Sequence, residues 1–406
     1  MFRFGAAVGR TGAGVPTVLA GLGLLLAAVV AGAEPYVPKS EDEVLERIPP
    51  GLRSSDIRRQ REELAADPEN LRDSLAMARG YLDIARFEGD ARYLGHAQSI
   101  LGPWWERPNP PPPVLALRAE LRNASWEFDR ALADLDLALA SEPTNRVALA
   151  ARFDALLARA DYGGARAVAA LLGPVVSPVA RGVLQARLDR LSPRAAEALG
   201  ALESLPRTGD ADPVELLEAD ALRADIACQL GRRAIAAEAF ASLARGGRRD
   251  VRRLAAEADF HLDEGRPGEA LAVVEADTPL DALALRYVEA VRVLPVRTTG
   301  QEELRAALTN RLAANFEARR RRGDVTALPD EIRFRLRVLP DSAAALAAAR
   351  DLWAVRRELS DARLVLEAAR AGGDRGLREA VAAWFRTNRI EDVRCQVDLR
   401  EAGGAR

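Results

Sequence analysis

From residue 112 onward, apolar positions recur at spacings of three and four, the periodicity of helices that bury one face. Between Pro112 and Asn145 this pattern predicts two helices. The second carries Ala131, Leu135 and Ala138 and must stop near Pro143, which has no amide hydrogen to give the helix. The next stretch of equal length repeats the plan with Leu149, Leu156, an Ala160-Asp161-Tyr162 turn, Ala165 and Ala169. Small residues stand where two helices cross closely and large ones where they wedge apart. Further copies follow at Gly231 with Ala236, Phe240 and Leu243, and at Gly265 with Ala270 and Val274. Another lies at Leu346, Trp353, Leu359, Ala362, Leu366 and Ala369. Upstream, Leu75, Arg79, Leu82, Ala97 and Leu101 predict a helix pair with an enlarged turn. Self-similarity on this scale implies stacked helical hairpins, each touching only its neighbours.

The unit resembles the tetratricopeptide repeat. That family's pattern of about 34 residues has large residues at its fourth, eleventh and twenty-fourth places, a small one at the eighth, Ala at the twentieth and twenty-seventh, and Pro at the thirty-second. Leu115, Ala119, Ala131, Leu135, Ala138 and Pro143 match it, and Arg122 departs at the eleventh place. The family's Gly-Asp-Tyr turn is Ala160-Asp161-Tyr162 here. The resemblance implies an all-α fold, a right-handed superhelical solenoid of tetratricopeptide-like hairpins. The repeats are degenerate: the seventh place, usually apolar, is Arg118, Arg152 and Arg223, and the eighth is Phe153 in one unit. Residues 179–212 and 296–340 read as helical but fit the motif poorly.

Composition agrees with long amphipathic helices, since charged residues make up 29% and aromatics only 5% of the 406 residues. The formal net charge is -2, and a chain without Arg3 and Arg10 would carry two positive charges fewer, about -4. Neither value attracts nucleic acid, so none is expected as a partner. Arg3 and Arg10 precede an apolar stretch, Val15 to Val30, and Ala31-Gly32-Ala33 fits a small-residue cleavage site. The reading is an exported, periplasmic protein cut after Ala33, with no stable membrane insertion afterwards. The alternative is an N-terminal membrane anchor, although about 16 apolar residues fall short of the roughly 20 that span hydrocarbon. The expected organisation is a signal peptide over 1–33, a flexible lead over 34–51 and an N-terminal cap with a first hairpin over 52–111. Repeats over 112–295, a degenerate helical segment over 296–340 and a last repeat with its tail over 341–406 follow. Pro108 to Pro113 reads as a stiff connector.

Few residues suggest chemistry. His96 and His261 stand in different hairpins, and the glycines punctuate turns rather than forming a phosphate loop. Cys228 and Cys395 read as two inert thiols. Arg319 to Arg322 end a helix before Gly323, where cations offset the dipole. Trp104 and Trp105 either cap the first hairpin or leave one ring exposed for a ligand. No cofactor, metal or catalytic set is expected.

One constellation recurs. In the register set by the second-helix alanines, the fifth place is Ala116, Ala150, Ala221, Ala255 and Ala347, and the ninth is Glu120, Asp154, Asp225, Asp259 and Asp351. The resemblance implies that these two places face a concave groove. Small residues would widen it and acids would draw a basic segment of another protein, exported or membrane-bound. The expected function is therefore a periplasmic scaffold or adaptor. A helical cell-wall-acting enzyme of lytic-transglycosylase type is the alternative.

Overall fold

A computed structural model describes residues 59, 61–64, 66–207, 211–246 and 250–403, which are α-helical with no strand among them. The leader, its cleavage site and the lead to Gly51 lie outside the described residues. Among the described residues, nine hairpins follow one another. The first is α1 (Leu71–Glu88) with α2 (Arg92–Ile100), followed by the single turn α3 (Gly102–Trp105). The second and third are α4 (Pro112–Ala124) with α5 (Phe128–Ser141), and α6 (Arg146–Ala158) with α7 (Tyr162–Leu172). The fourth and fifth are α8 (Pro178–Asp189) with α9 (Ala195–Glu203), and α10 (Pro213–Gln229) with α11 (Arg233–Arg245). Then come α12 (Val251–Asp263) with α13 (Pro267–Val274), and α14 (Asp281–Val293) with α15 (Thr299–Arg321). The last two are α16 (Leu328–Arg337) with α17 (Ser342–Val355), and α18 (Leu359–Ala371) with α19 (Arg375–Asn388), before a closing α20 (Gln396–Gly403).

Local chemistry sets these boundaries. Asn145, Asp161, Ser177, Asp250 and Asp374 each accept an amide hydrogen from the first turn that follows, satisfying a donor the helix leaves orphaned. Pro178, Pro213 and Pro267 open helices, where a missing amide costs nothing. Pro112 does the same for α4, so the proline stretch is a connector only as far as Pro111, and Pro112 and Pro113 are its first helical turn. The motif residues Leu115, Ala119, Ala131, Leu135 and Ala138 form one buried cluster, as close helix crossing requires.

The seventh-place arginines are accommodated by acids. Arg118 is buried and grips Asp134 through two bonds of 2.9 and 2.7 Å, while its third nitrogen donates to the carbonyl of Trp105 at 2.5 Å. Arg152 pairs with Asp136, and Arg223 lies 3.6 Å from Asp220. Trp104 is buried and Trp105 half-buried with the Arg122 guanidinium 5.6 Å from its ring, so both tryptophans pack on the first hairpins.

The first helices of successive hairpins touch one another along the chain, from α4 to α6, α8 to α10, and α12 through α14 and α16 to α18. A rank whose members meet is the short, inner side of a curved stack. Short turns make consecutive helices antiparallel, so all first-to-second turns share a near edge and all second-to-first turns share a far edge.

These edges meet. Arg356, between α17 and α18, lies 3.9 Å from the ring centroid of Trp126, in the turn of the second hairpin, while gripping buried Asp361. The Arg357 amide donates to the Ala158 carbonyl at 2.9 Å, and Trp384 Nε1 donates to the Tyr162 hydroxyl at 3.2 Å. Gln229 Nε2 donates to the carbonyls of Arg190 and Glu391 at 2.9 and 2.7 Å. Asp263 accepts two bonds from Arg363 at 2.5 and 2.8 Å. Apart from the Gln229–Arg190 bond, which ties two near-edge turns, each of these joins the near edge of an earlier hairpin to the far edge of a later one. One hydrophobic core accordingly combines Phe153, Tyr162 and Leu188 with Ile332, Trp353, Val365 and Trp384. Bulky Phe153, anomalous for its place in the repeat, belongs to that shared core. Expected contacts between neighbours are present, but the hairpins do not touch neighbours alone: the stack curves back far enough for its later part to seat on its earlier part.

Candidate functional site: carboxylates of the inner helices

The five acids at the repeated place meet four kinds of surroundings. On α4, Glu120 is buried between Arg79 and Arg86 of α1, at 2.6 and 3.1 Å, and Ala116 beside it is buried too. On α12, Asp259 takes two bonds from Arg286 of α14, at 3.0 and 3.1 Å, and lies 2.7 Å from Arg333 of α16. Burial pushes this carboxyl up, but the charges of Arg286 and Arg333 override it and hold it below the usual carboxylate range. Ala255 is buried. The same arginines continue outward: Arg286 reaches Asp330 at 2.5 Å, and Arg333 grips buried Glu289 at 2.5 and 2.8 Å. Arg337 then links Glu289 to Glu367 on α18.

Asp154 on α6 and Asp225 on α10 are different. Their side chains keep 49% and 52% of their exposure, and Ala150 and Ala221 stand exposed one helical turn before them. Among the described residues each has a single close arginine partner, both from the intervening hairpin: Arg187 of α8 reaches back to Asp154 at 2.7 Å, and Arg190 reaches forward to Asp225 at 3.1 Å. Burial opposes the charge of Arg187, but Asp154, Glu358 and Glu218 outweigh it. Its guanidinium also lies 5.1 Å from the ring of Phe153.

Asp351 and Ala347 are exposed on α17, and Asp351 makes no ion pair among the described residues. The inner rank runs from α14 to α16 to α18, which makes α17 a second helix and leaves this pair outside the row. Residues 296–340, poor in motif, contain both α15 and α16; with α14 they put three helices between α13 and α17, and this odd number makes α17 a second helix. The alanines of α18 match a second-helix spacing because that helix, too, is packed closely on both sides.

No family model matches this chain, and no curated protein sequence matches it.

The partners that sequence reading missed are the arginines of the inner helices, Arg187, Arg286, Arg333 and Arg337. All but Arg286 stand in the segments that fit the motif poorly, and their only signal was an acid without an obvious counter-charge one hairpin earlier. Elsewhere, His96 sits among Tyr81 and Tyr93, and His261 is half-buried with its pKa lowered by burial and by Arg266. Burial pushes the Cys228 and Cys395 thiols up to about 12. Arg319 and Arg320, ending α15, pair with Asp281 and Glu331. Among the described residues, no helix is long and apolar enough to cross a membrane.

Proposed function

We propose that this protein is an exported scaffold that receives a basic segment of another exported or membrane protein along α6, α8 and α10. The observation that carries the reading is the exposure of Asp154 and Asp225 beside Ala150 and Ala221, with Arg187 and Arg190 as their single close partners among the described residues. Both carboxylates are half exposed, and an ion pair at a wet surface contributes less than about 1 kcal/mol, so an incoming lysine or arginine joins Arg187 or Arg190 at each acid without having to displace it. The small alanines leave room for a chain to approach. Charge then selects and orients the segment, while its affinity comes from the apolar and backbone contacts that flank it.

The test uses the full chain, produced with its own N-terminus and carrying a photo-reactive residue at Ala150, Ala221 or Ala347. The first two positions should crosslink to the same exported protein, with loss of the adduct in Asp154→Asn/Asp225→Asn, and Ala347 should not. Fusing residues 1–40 to a reporter active only outside the cytoplasm should give signal, and the mature chain should begin at Glu34. Release of muropeptides from peptidoglycan by the purified protein would replace the scaffold with a cell-wall-acting enzyme.

A further inference from the structure

The junction between the early and late hairpins has a repeated local form. At Gly89, a near-edge turn with φ +67°, the Val251 side chain lies 2.7 Å from where a Cβ would stand. At Gly231, φ +68°, Val393 lies 3.2 Å from the equivalent point. A far-edge valine thus presses on a left-handed near-edge glycine, twice. Two further near-edge glycines of the same conformation, Gly265 and Gly373, have nothing among the described residues within 4 Å of that point.

Exposed apolar side chains gather on the two edges that the internal junction leaves over. On the near edge of the seventh and eighth hairpins, Val293, Val296, Leu304 and Leu339 stand exposed, Val296 by 83%. They form one surface, because the Arg292 guanidinium donates to the carbonyls of Arg337 and Val338 at 2.6 Å each and ties the two turns together. On the far edge of the third to fifth hairpins, Val147, Leu171, Val175 and Val214 are exposed, Leu171 by 60%. Arg146 reaches the Val175 carbonyl at 3.5 Å and Ser177 bonds Glu215, so these turns are joined as well. Apolar patches of this kind on a charged surface mark interaction sites. The chain's own junction shows what a near edge of this stack accepts, namely a far edge of the same stack.

We propose that the protein associates with itself head to tail, the free far edge of one copy seating on the free near edge of the next. Two different surfaces meet, so the contact is heterologous and leaves one free edge of each kind at the ends of any open chain of copies. Internal contacts between near and far edges continue unchanged across the new boundary. The extension rests on the arrangement of the edges and not on the proposed groove.

Sedimentation of the full chain over a concentration series tests it. The weight-average mass should rise past one chain and keep rising with concentration. Val293→Asp/Val296→Asp and Leu171→Asp/Val175→Asp should each abolish that rise, and because the replaced side chains are exposed, both should keep the wild-type circular dichroism spectrum and melting temperature. The decisive arm is mixing: equal amounts of the two variants retain one intact near edge and one intact far edge between them, so they should form a dimer that grows no further. A wild-type chain that stays monomeric, as it would if another segment of the same chain covered either patch, overturns the proposal. So does a mixture of the variants that stays monomeric, which would mean a symmetric contact.

Discussion

Asp259 and Asp154 occupy the same place in their hairpins, yet one is a structural crosslink and the other an exposed group with a single partner. The difference lies in what the next inner helices supply. Opposite Asp259 they bring Arg286 and Arg333, themselves largely buried and tied onward to Asp330 and Glu289. Opposite Asp154 they bring Arg187 alone, from a side chain that water still reaches. Charge in a shielded network is coupled strongly, and charge at a wet surface weakly. A repeat motif therefore fixes where an acid stands and leaves its role to the neighbour.

Arg333 should separate the two regions most strongly. Replacing it in Arg333→Met leaves buried Glu289 nearly stranded, with Arg337 at 3.6 Å as its remaining partner, and weakens the hold on Asp259, which should cost about 3–5 kcal/mol in urea unfolding. Adding Glu289→Leu removes the stranded charge and should recover much of that loss. A cost near zero for the single variant would mean that the network is no tighter than the Asp154 pair.

Acid sharpens the contrast. Because the folded pKa of Asp259 is held below its unfolded value near 4, its contribution is fully present above that value and is lost as pH falls through the folded pKa. The stability gap between wild type and Asp259→Asn should therefore close on acidification below about pH 4, as read from melts across a pH series. The internal junction responds on the alkaline side. Burial, only partly offset by the Trp384 bond, pushes Tyr162 up to about 12, so its contribution is intact below about 10 and lost as pH rises from there towards 12. Tyr162→Phe should flatten that alkaline loss.

Asp154→Asn/Asp225→Asn should change unfolding stability by less than about 1 kcal/mol, the scale of pairs in water. A loss as large as that at Arg333 would erase the distinction between the two regions. The smallest effect is expected at Ala160, which holds φ +59° in its turn, a conformation that favours glycine. Ala160→Gly relieves that strain, and the gain should stay below about 1 kcal/mol after the added freedom of the unfolded chain is counted. A measurable loss would show that the alanine methyl is needed at the junction.

Much of the fold was legible because it is local. Proline, capping residues and the spacing of Ala131, Leu135 and Ala138 define helices and their crossings over a few turns, and the chain obeys them. The phase of the last hairpins was not, since Ala362, Leu366 and Ala369 satisfy either helix of a hairpin and only the inner rank distinguishes them. Nor was the junction, whose members look ordinary in sequence: Arg356 reads as surface charge until it meets Trp126. The acids at the candidate site were found by spacing, but their arginine partners were not, because pairing depends on the curvature of the stack.

The bond between Tyr162 and Trp384 spans 222 residues, and this separation has a consequence for biogenesis. At ribosomal speeds of about 5–20 residues per second, the residues between them take roughly 10 to 45 s to appear. Through that interval Phe153, Tyr162 and Leu188 have been made while the aromatic and aliphatic side chains that complete their core have not. Early hairpins must wait with a sticky rim, so the nascent chain is most exposed to wrong company just before its last helices emerge.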